Sequence, residues 1–252
     1  MLYRLKKRIL LQRMYFYNKI FLHTKLYWIL KSSSSFTEIF FYLKKNKGKK
    51  EKISSNTDLL VDGPTRSGNH FAVHYIKRFN DITLARHYHS PGAIRLAFKK
   101  KVPTLLLIRD PVEQISSAYV YLEKNVPLKR LIRSYQIFYK KCLKAKEWYV
   151  VACFDEMINN PEQIIKKINI RYDFNLKFKP LDSELNKSIL DEIKLKNQNQ
   201  KEFSMFNVNL EMKMAAPNEN RELQKIEIKN TLNNNFKKQI DVCYQLYEEI
   251  RK

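Results

Sequence analysis

The residues Gly63-Pro64-Thr65-Arg66-Ser67-Gly68-Asn69-His70 bring two glycines, a cation, and hydroxyl and amide groups into one short stretch. Gly63 and Gly68 stand at the G-x-x-x-x-G spacing of a phosphate-binding loop, in which glycine lets the backbone approach an anion closely. A helix starting at Gly68 would aim its first N–H groups, and the positive end of its dipole, at the same anion. A magnesium-dependent triphosphate site needs Lys and then Ser or Thr after the second glycine. Asn69 and His70 occupy those places. Triphosphate hydrolysis is therefore disfavoured, and the loop suits a smaller anion transferred without a metal.

Two more groups could join it. Arg109 follows the apolar run Thr104 to Ile108, and Ser117 comes eight residues later. A guanidinium offers phosphate a charge-assisted fork, and a hydroxyl adds a donor. The stretch Arg86-His87-Tyr88-His89-Ser90-Pro91-Gly92 supplies two imidazoles. A neutral imidazole can take the proton from an attacking hydroxyl. His87, two residues from His89 in an extended segment, would point the same way and touch substrate. His70 and His74 are spaced as a metal pair, but no acid or cysteine accompanies them in sequence, so no metal is expected.

The elements that must position these groups alternate between strand and helix. Leu59 to Val61, Ile82 to Leu84, Thr104 to Ile108 and Tyr149 to Phe154 read as short buried strands. Helices are expected over Gly68 to Phe79, Pro91 to Lys100, from Pro111, over Val126 to Glu147, over Pro161 to Ile170 and around Ile226 to Ile250. Strands separated by helices imply right-handed βαβ units and a parallel sheet. Arg109 would then sit at the carboxyl end of a strand, where open α/β sheets bind ligands.

In this order the segments resemble the sulfotransferase family, which uses 3′-phosphoadenosine 5′-phosphosulfate as sulfuryl donor. Arg66-Ser67-Gly68-Asn69 is similar to its first signature, P-[KR]-S-G-[TN]-T, with Pro64 one residue early and His70 in place of the hydroxyl residue. Ile108-Arg109-Asp110-Pro111 through Ser117 and Tyr119 is similar to its second signature, and His89-Ser90-Pro91 to its His-x-Pro step. The resemblance covers about Asp58 to Tyr172. It implies a three-layer α/β fold of P-loop type with a central parallel sheet flanked by helices. It implies that Thr65, Arg66, Ser67, Gly68, Asn69 and His70 hold the 5′-phosphosulfate, and that Arg109 and Ser117 hold the 3′-phosphate. His89 is implied as the base and Arg66 as stabiliser of charge on the sulfate and bridging oxygens, with no metal. Phe154 stands where the family carries Tyr. The glycine-rich C-terminal loop of the cytosolic branch is missing, and Arg221 occupies a comparable late position.

Hydrophobic residues make up 44% of the 252, enough for a substantial core, and the formal net charge is +23. Such a balance calls for anionic partners. A small-molecule or glycan acceptor, carbohydrate or glycolipid, is expected. Nucleic acid is disfavoured because no nucleic-acid motif accompanies the charge. The alternative is a P-loop-type nucleotide- or nucleic-acid-binding protein without sulfuryl transfer. Residues 1–50 hold thirteen Lys or Arg against Glu38 alone. Residues 1–52 therefore read as a basic, aromatic-rich helical extension, and residues 53–252 as the α/β domain. Leu2, Leu5, Ile9, Phe16 and Ile20 track a helical face that suits either an anionic membrane surface or the domain's own surface. Cys142, Cys153 and Cys243 form no C-x-x-C, and no apolar run reaches bilayer length. The expected location is cytoplasmic, peripheral at the membrane if the extension binds it.

Overall fold

The computed structural model describes residues 25–43, 52–198 and 219–252. Two short helices, α1 (Lys25–Lys31) and α2 (Ser34–Leu43), precede β1 (Leu59–Asp62) and α3 (Asn69–Phe79). The chain continues through β2 (Leu84–Arg86), α4 (Pro91–Lys99), β3 (Thr104–Ile108), α5 (Pro111–Tyr121) and α6 (Leu128–Cys142). A 3-10 segment, Leu143–Trp148, leads into β4 (Tyr149–Cys153), α7 (Phe154–Asn159), α8 (Pro161–Tyr172) and α9 (Ser183–Gln198). The last elements are α10 (Glu219–Asn235) and α11 (Lys237–Arg251).

All strand pairs are parallel, in the order β2-β1-β3-β4. Leu60 and Leu106, with Ile108, face one layer, packing with Ile94, Ile115, Phe138 and Leu232. Leu59, Val61, Leu105 and Leu107 face the other, with Ala72, Ile76, Ile164 and Ile189. Successive strand residues point to opposite faces, so helices on both sides make three layers. This is why the strands read as continuous apolar runs. The chain leaves β1 toward β2, then crosses back to β3 on the other side of β1. That reversal opens a crevice at the carboxyl ends of β1 and β3.

Some boundaries differ from expectation. The second strand begins at Leu84, because Leu59 pairs with Leu84 while the Thr83 carbonyl accepts the Asp58 N–H at 3.0 Å. The C-terminal helix is two helices, broken at Phe236 (φ −126°, ψ 20°). Helices α1 and α2 pack on the α/β unit. Trp28 is buried and its Nε1 donates to Ser134 Oγ at 2.9 Å. Ser90 Oγ donates to the Lys31 carbonyl at 2.6 Å. At the start of the expected α/β domain, the Ile53 N–H donates to Tyr88 Oη at 2.8 Å. The helical face from Leu2 to Ile20 lies outside the described residues. Among the described residues, no helix is long and apolar enough to cross a membrane.

Candidate functional site

Strand β1 delivers the chain into the loop 63–68 at the sheet's carboxyl edge. A Cβ on Gly63 would stand 2.5 Å from the Leu107 carbonyl oxygen, so only glycine fits this close against β3. Gly68 (φ 95°) and Arg66 (φ 73°) take left-handed conformations that turn the loop into α3. The loop's own side chains brace it. Ser67 Oγ donates to the Pro64 carbonyl at 2.7 Å, and Asn69 Nδ2 donates to that carbonyl at 3.2 Å and to Ser67 Oγ at 3.1 Å. Gln114 Nε2 donates to the Thr65 carbonyl at 3.2 Å. Ser67 and Asn69 thus spend their side-chain donors inside the loop. What this turn presents to an anion is the first N–H groups of α3, which have no partner within the helix.

Arg66 reaches from the loop toward α5. Its Nε donates to Ser117 Oγ at 3.0 Å, and its guanidinium lies 5.6 Å from the centre of the Tyr121 ring. Arg109 Nη1 donates to the Arg66 carbonyl at 3.1 Å, and the Arg109 guanidinium stacks 3.9 Å over the Phe154 ring. The Phe154 ring therefore holds a guanidinium in place. Among the described residues, Arg109 Nε is buried without a hydrogen-bond partner. Burial, then repulsion from Arg221 and Arg109, lowers the Arg66 pKa to about 10. Burial lowers that of Arg221 as well, with Arg109 adding repulsion against the pull of Glu222.

Helix α10 carries the C-terminal part of this cluster. Lys225 is buried and binds Glu113 Oε2 at 2.9 Å and Glu222 Oε2 at 2.7 Å, while Lys229 also pairs with Glu113. Partial burial alone would raise the Glu113 carboxyl, but its hydrogen bonds to Lys229 and Lys225 hold it below the ordinary glutamate value. Among the described residues, Glu113 and Glu222, with Asp110 and Asp155 near Arg109, lie among five cations: Arg66, Arg109, Arg221, Lys225 and Lys229. Such an arrangement favours an incoming dianion.

His89 sits on the loop side of the same crevice. Its Nδ1 lies 2.7 Å from the Gly63 carbonyl oxygen, which only accepts, so Nδ1 carries a hydrogen and the neutral ring keeps its lone pair on Nε2. The loop holding His89 hangs from Asp62, a wholly buried carboxylate at the end of β1. Asp62 accepts the His89 N–H at 2.8 Å and the Ser90 N–H at 3.2 Å. Burial raises its pKa from 3.8 to about 6, against the lowering effect of those backbone N–H groups. His87 and His89 both have positive φ (60° and 48°), so this segment is not extended as expected. Their rings nevertheless lie 5.8 Å apart, and His87 stands 4.6 Å from His70. His74 turns away to Glu192 at 3.2 Å. Among the described residues, no three His, Cys, Asp or Glu side chains are grouped to hold a metal ion.

One pocket of about 470 Å³ joins these parts: Thr65, Arg66, Gly68, Asn69, His70, His89, Arg109, Ser117 and Arg221 all line it. Ser67 lies beneath the loop surface. Asp62, Gln114, Tyr121 and Lys225 were not singled out in the sequence. An acid ending an apolar strand was a readable signal for Asp62. Nothing in the sequence pairs Lys225 with Glu113 across 112 residues.

No family model matches this sequence, and no curated protein matches it. Among solved structures, the chain is similar to mouse sulfotransferase SULT7A1 complexed with PAP. The identity is 12%, 78% of this chain and 90% of that chain are covered, and the TM-score is 0.43.

Proposed function

We propose that this chain is a sulfotransferase that moves the sulfuryl group of 3′-phosphoadenosine 5′-phosphosulfate to an acceptor hydroxyl. The observation that carries the reading is the convergence of Arg66, Arg109, Arg221 and Ser117 at the sheet's switch point, in one pocket with His89. The unpartnered Arg109 Nε and the repulsion among the guanidiniums fit a phosphate dianion there. We assign the 3′-phosphate to Arg109, Ser117, Arg66 and Arg221. The N–H groups at the start of α3 take the 5′-phosphosulfate, beside Thr65 and His70.

The donor substrate supplies a sulfuryl group on a phosphate leaving group. His89 Nε2 accepts the acceptor's proton while the acceptor oxygen bonds to sulfur and the bridging bond to the 5′-phosphate breaks. The Gly63 carbonyl, accepting from Nδ1, orients the ring and steadies the imidazolium that forms. The net charge of +23 supports a saccharide or glycolipid hydroxyl, of the kind carrying acidic groups, as acceptor. The test is incubation with radiolabelled donor and a panel of glycans and glycolipids. Label should appear in an acceptor with wild type and be lost with His89→Asn. Label that stays in the donor with every acceptor, while the nucleotide binds, would leave a nucleotide-binding protein without sulfuryl transfer.

A further inference from the structure

A second cleft of about 470 Å³ opens between α4 and α6 beneath the turn joining α1 to α2, and it shares no lining residue with the pocket around Arg66. Arg95 and Lys99 stand one turn apart on α4, and Arg133 and Lys141 stand two turns apart on α6 with Ile137 between them. All four cations line the cleft, and among the described residues no Asp or Glu does. Glu38, the acid of α2, pairs with Lys100 instead. Arg95 Nη1 reaches the Ser32 carbonyl at 3.3 Å, which fixes one cation at the rim. Like charges one turn apart cost a helix stability, and these largely exposed side chains return nothing to the core. Their concentration in a concave site therefore points to an anion. Beside them Trp28 and Ile137 form an apolar floor, and Ile29 stays 59% exposed.

We propose that this cleft binds a phosphate ester, with the phosphoryl group between Arg95, Lys99, Arg133 and Lys141 and its carbon portion against Ile29 and Ile137. The proposal does not depend on sulfuryl transfer. The full chain is titrated with glycerol 3-phosphate, and separately with phosphatidylcholine vesicles containing or lacking phosphatidic acid. Arg133→Glu combined with Lys141→Glu should weaken binding about tenfold or more, on the order expected for cations removed from an anionic surface. Arg133→Lys should retain it. Saturation by glycerol 3-phosphate identifies a soluble ester as ligand; response only to phosphatidic acid vesicles identifies a lipid head group. Residues 1–24 add basic charge of their own, so the difference between wild type and variant is the readout. The proposal is overturned if wild type binds neither probe. It is equally overturned if the double variant, with unchanged circular dichroism and melting temperature, binds as wild type does. Should that variant not fold, Lys99→Gln with Lys141→Gln replaces it under the same criteria.

Discussion

In the proposed mechanism His89 takes the acceptor's proton, and Asp62 holds the backbone of His89 and Ser90 in place. His89 has φ 48°, a conformation that Asn tolerates well, so His89→Asn tests the base without stressing the turn. Nucleotide affinity should stay near wild type while transfer falls about 10²–10⁴-fold, the usual weight of a general base. His87→Asn should change acceptor affinity more than the limiting rate; the opposite pattern would exchange the two roles. Asp62 makes a separate prediction about stability. Its folded pKa of about 6 lies above the unfolded value of 3.8, so the native state holds the proton more tightly. Stability contributed by this residue therefore falls as pH rises from about 4 to about 6 and is level above that. The difference in unfolding free energy between wild type and Asp62→Asn should decline across that window. A difference that grows with pH would contradict the burial effect. His89 was readable from its His-x-Pro setting. The brace beneath it was not, because it depends on a carbonyl and a carboxylate from another strand.

The elements that hold the site were legible where burial fixes their pattern and less so elsewhere. Strands β1, β3 and β4 lie between two layers of helices, and their apolar runs show it. β2 was misplaced by two residues because its register is set by hydrogen bonds to β1, which leave no periodicity. The break between α10 and α11 carries neither Pro nor Gly. The N-terminal helices were ambiguous between a membrane and the domain, since both ask for apolar residues flanked by cations. α1 and α2 pack on the domain. A Cβ on Gly92 would meet Thr37 Oγ1 at 2.3 Å and the Ser33 and Lys31 carbonyls at 2.5 and 2.7 Å. Gly92→Ala should therefore lower stability by ~1–3 kcal/mol through overpacking. Trp28→Ala should cost about 3–5 kcal/mol, since it removes a buried ring and the bond to Ser134. Calorimetric melting checks both. In a chain beginning at Ser54, Gly92→Ala should be nearly silent, and an undiminished penalty there would mean that α1 and α2 are not what crowds Gly92.

Across the whole molecule, the +23 charge is gathered into particular places, and the crevice at the sheet's switch point is one of them. Its cations come from the β1 loop, the end of β3 and, through α10, the C-terminal region. The first two were legible because strand, loop and helix follow one another locally. The third was visible only as Arg221 in a late position, since no spacing rule links α10 to α5. The cluster predicts selectivity for a nucleotide bearing a 3′-phosphate, with affinity that falls as salt rises. The most direct test is calorimetric titration of the full chain with 3′-phosphoadenosine 5′-phosphate, adenosine 5′-phosphate and ATP with magnesium. The first should bind far more tightly than the others, and Arg109→Ala should weaken it by ~1.5–3 kcal/mol while leaving adenosine 5′-phosphate nearly unaffected. Equal binding of the two monophosphate nucleotides, equal losses for both in the variant, or a preference for ATP with magnesium would contradict the assignment of this crevice to the 3′-phosphate.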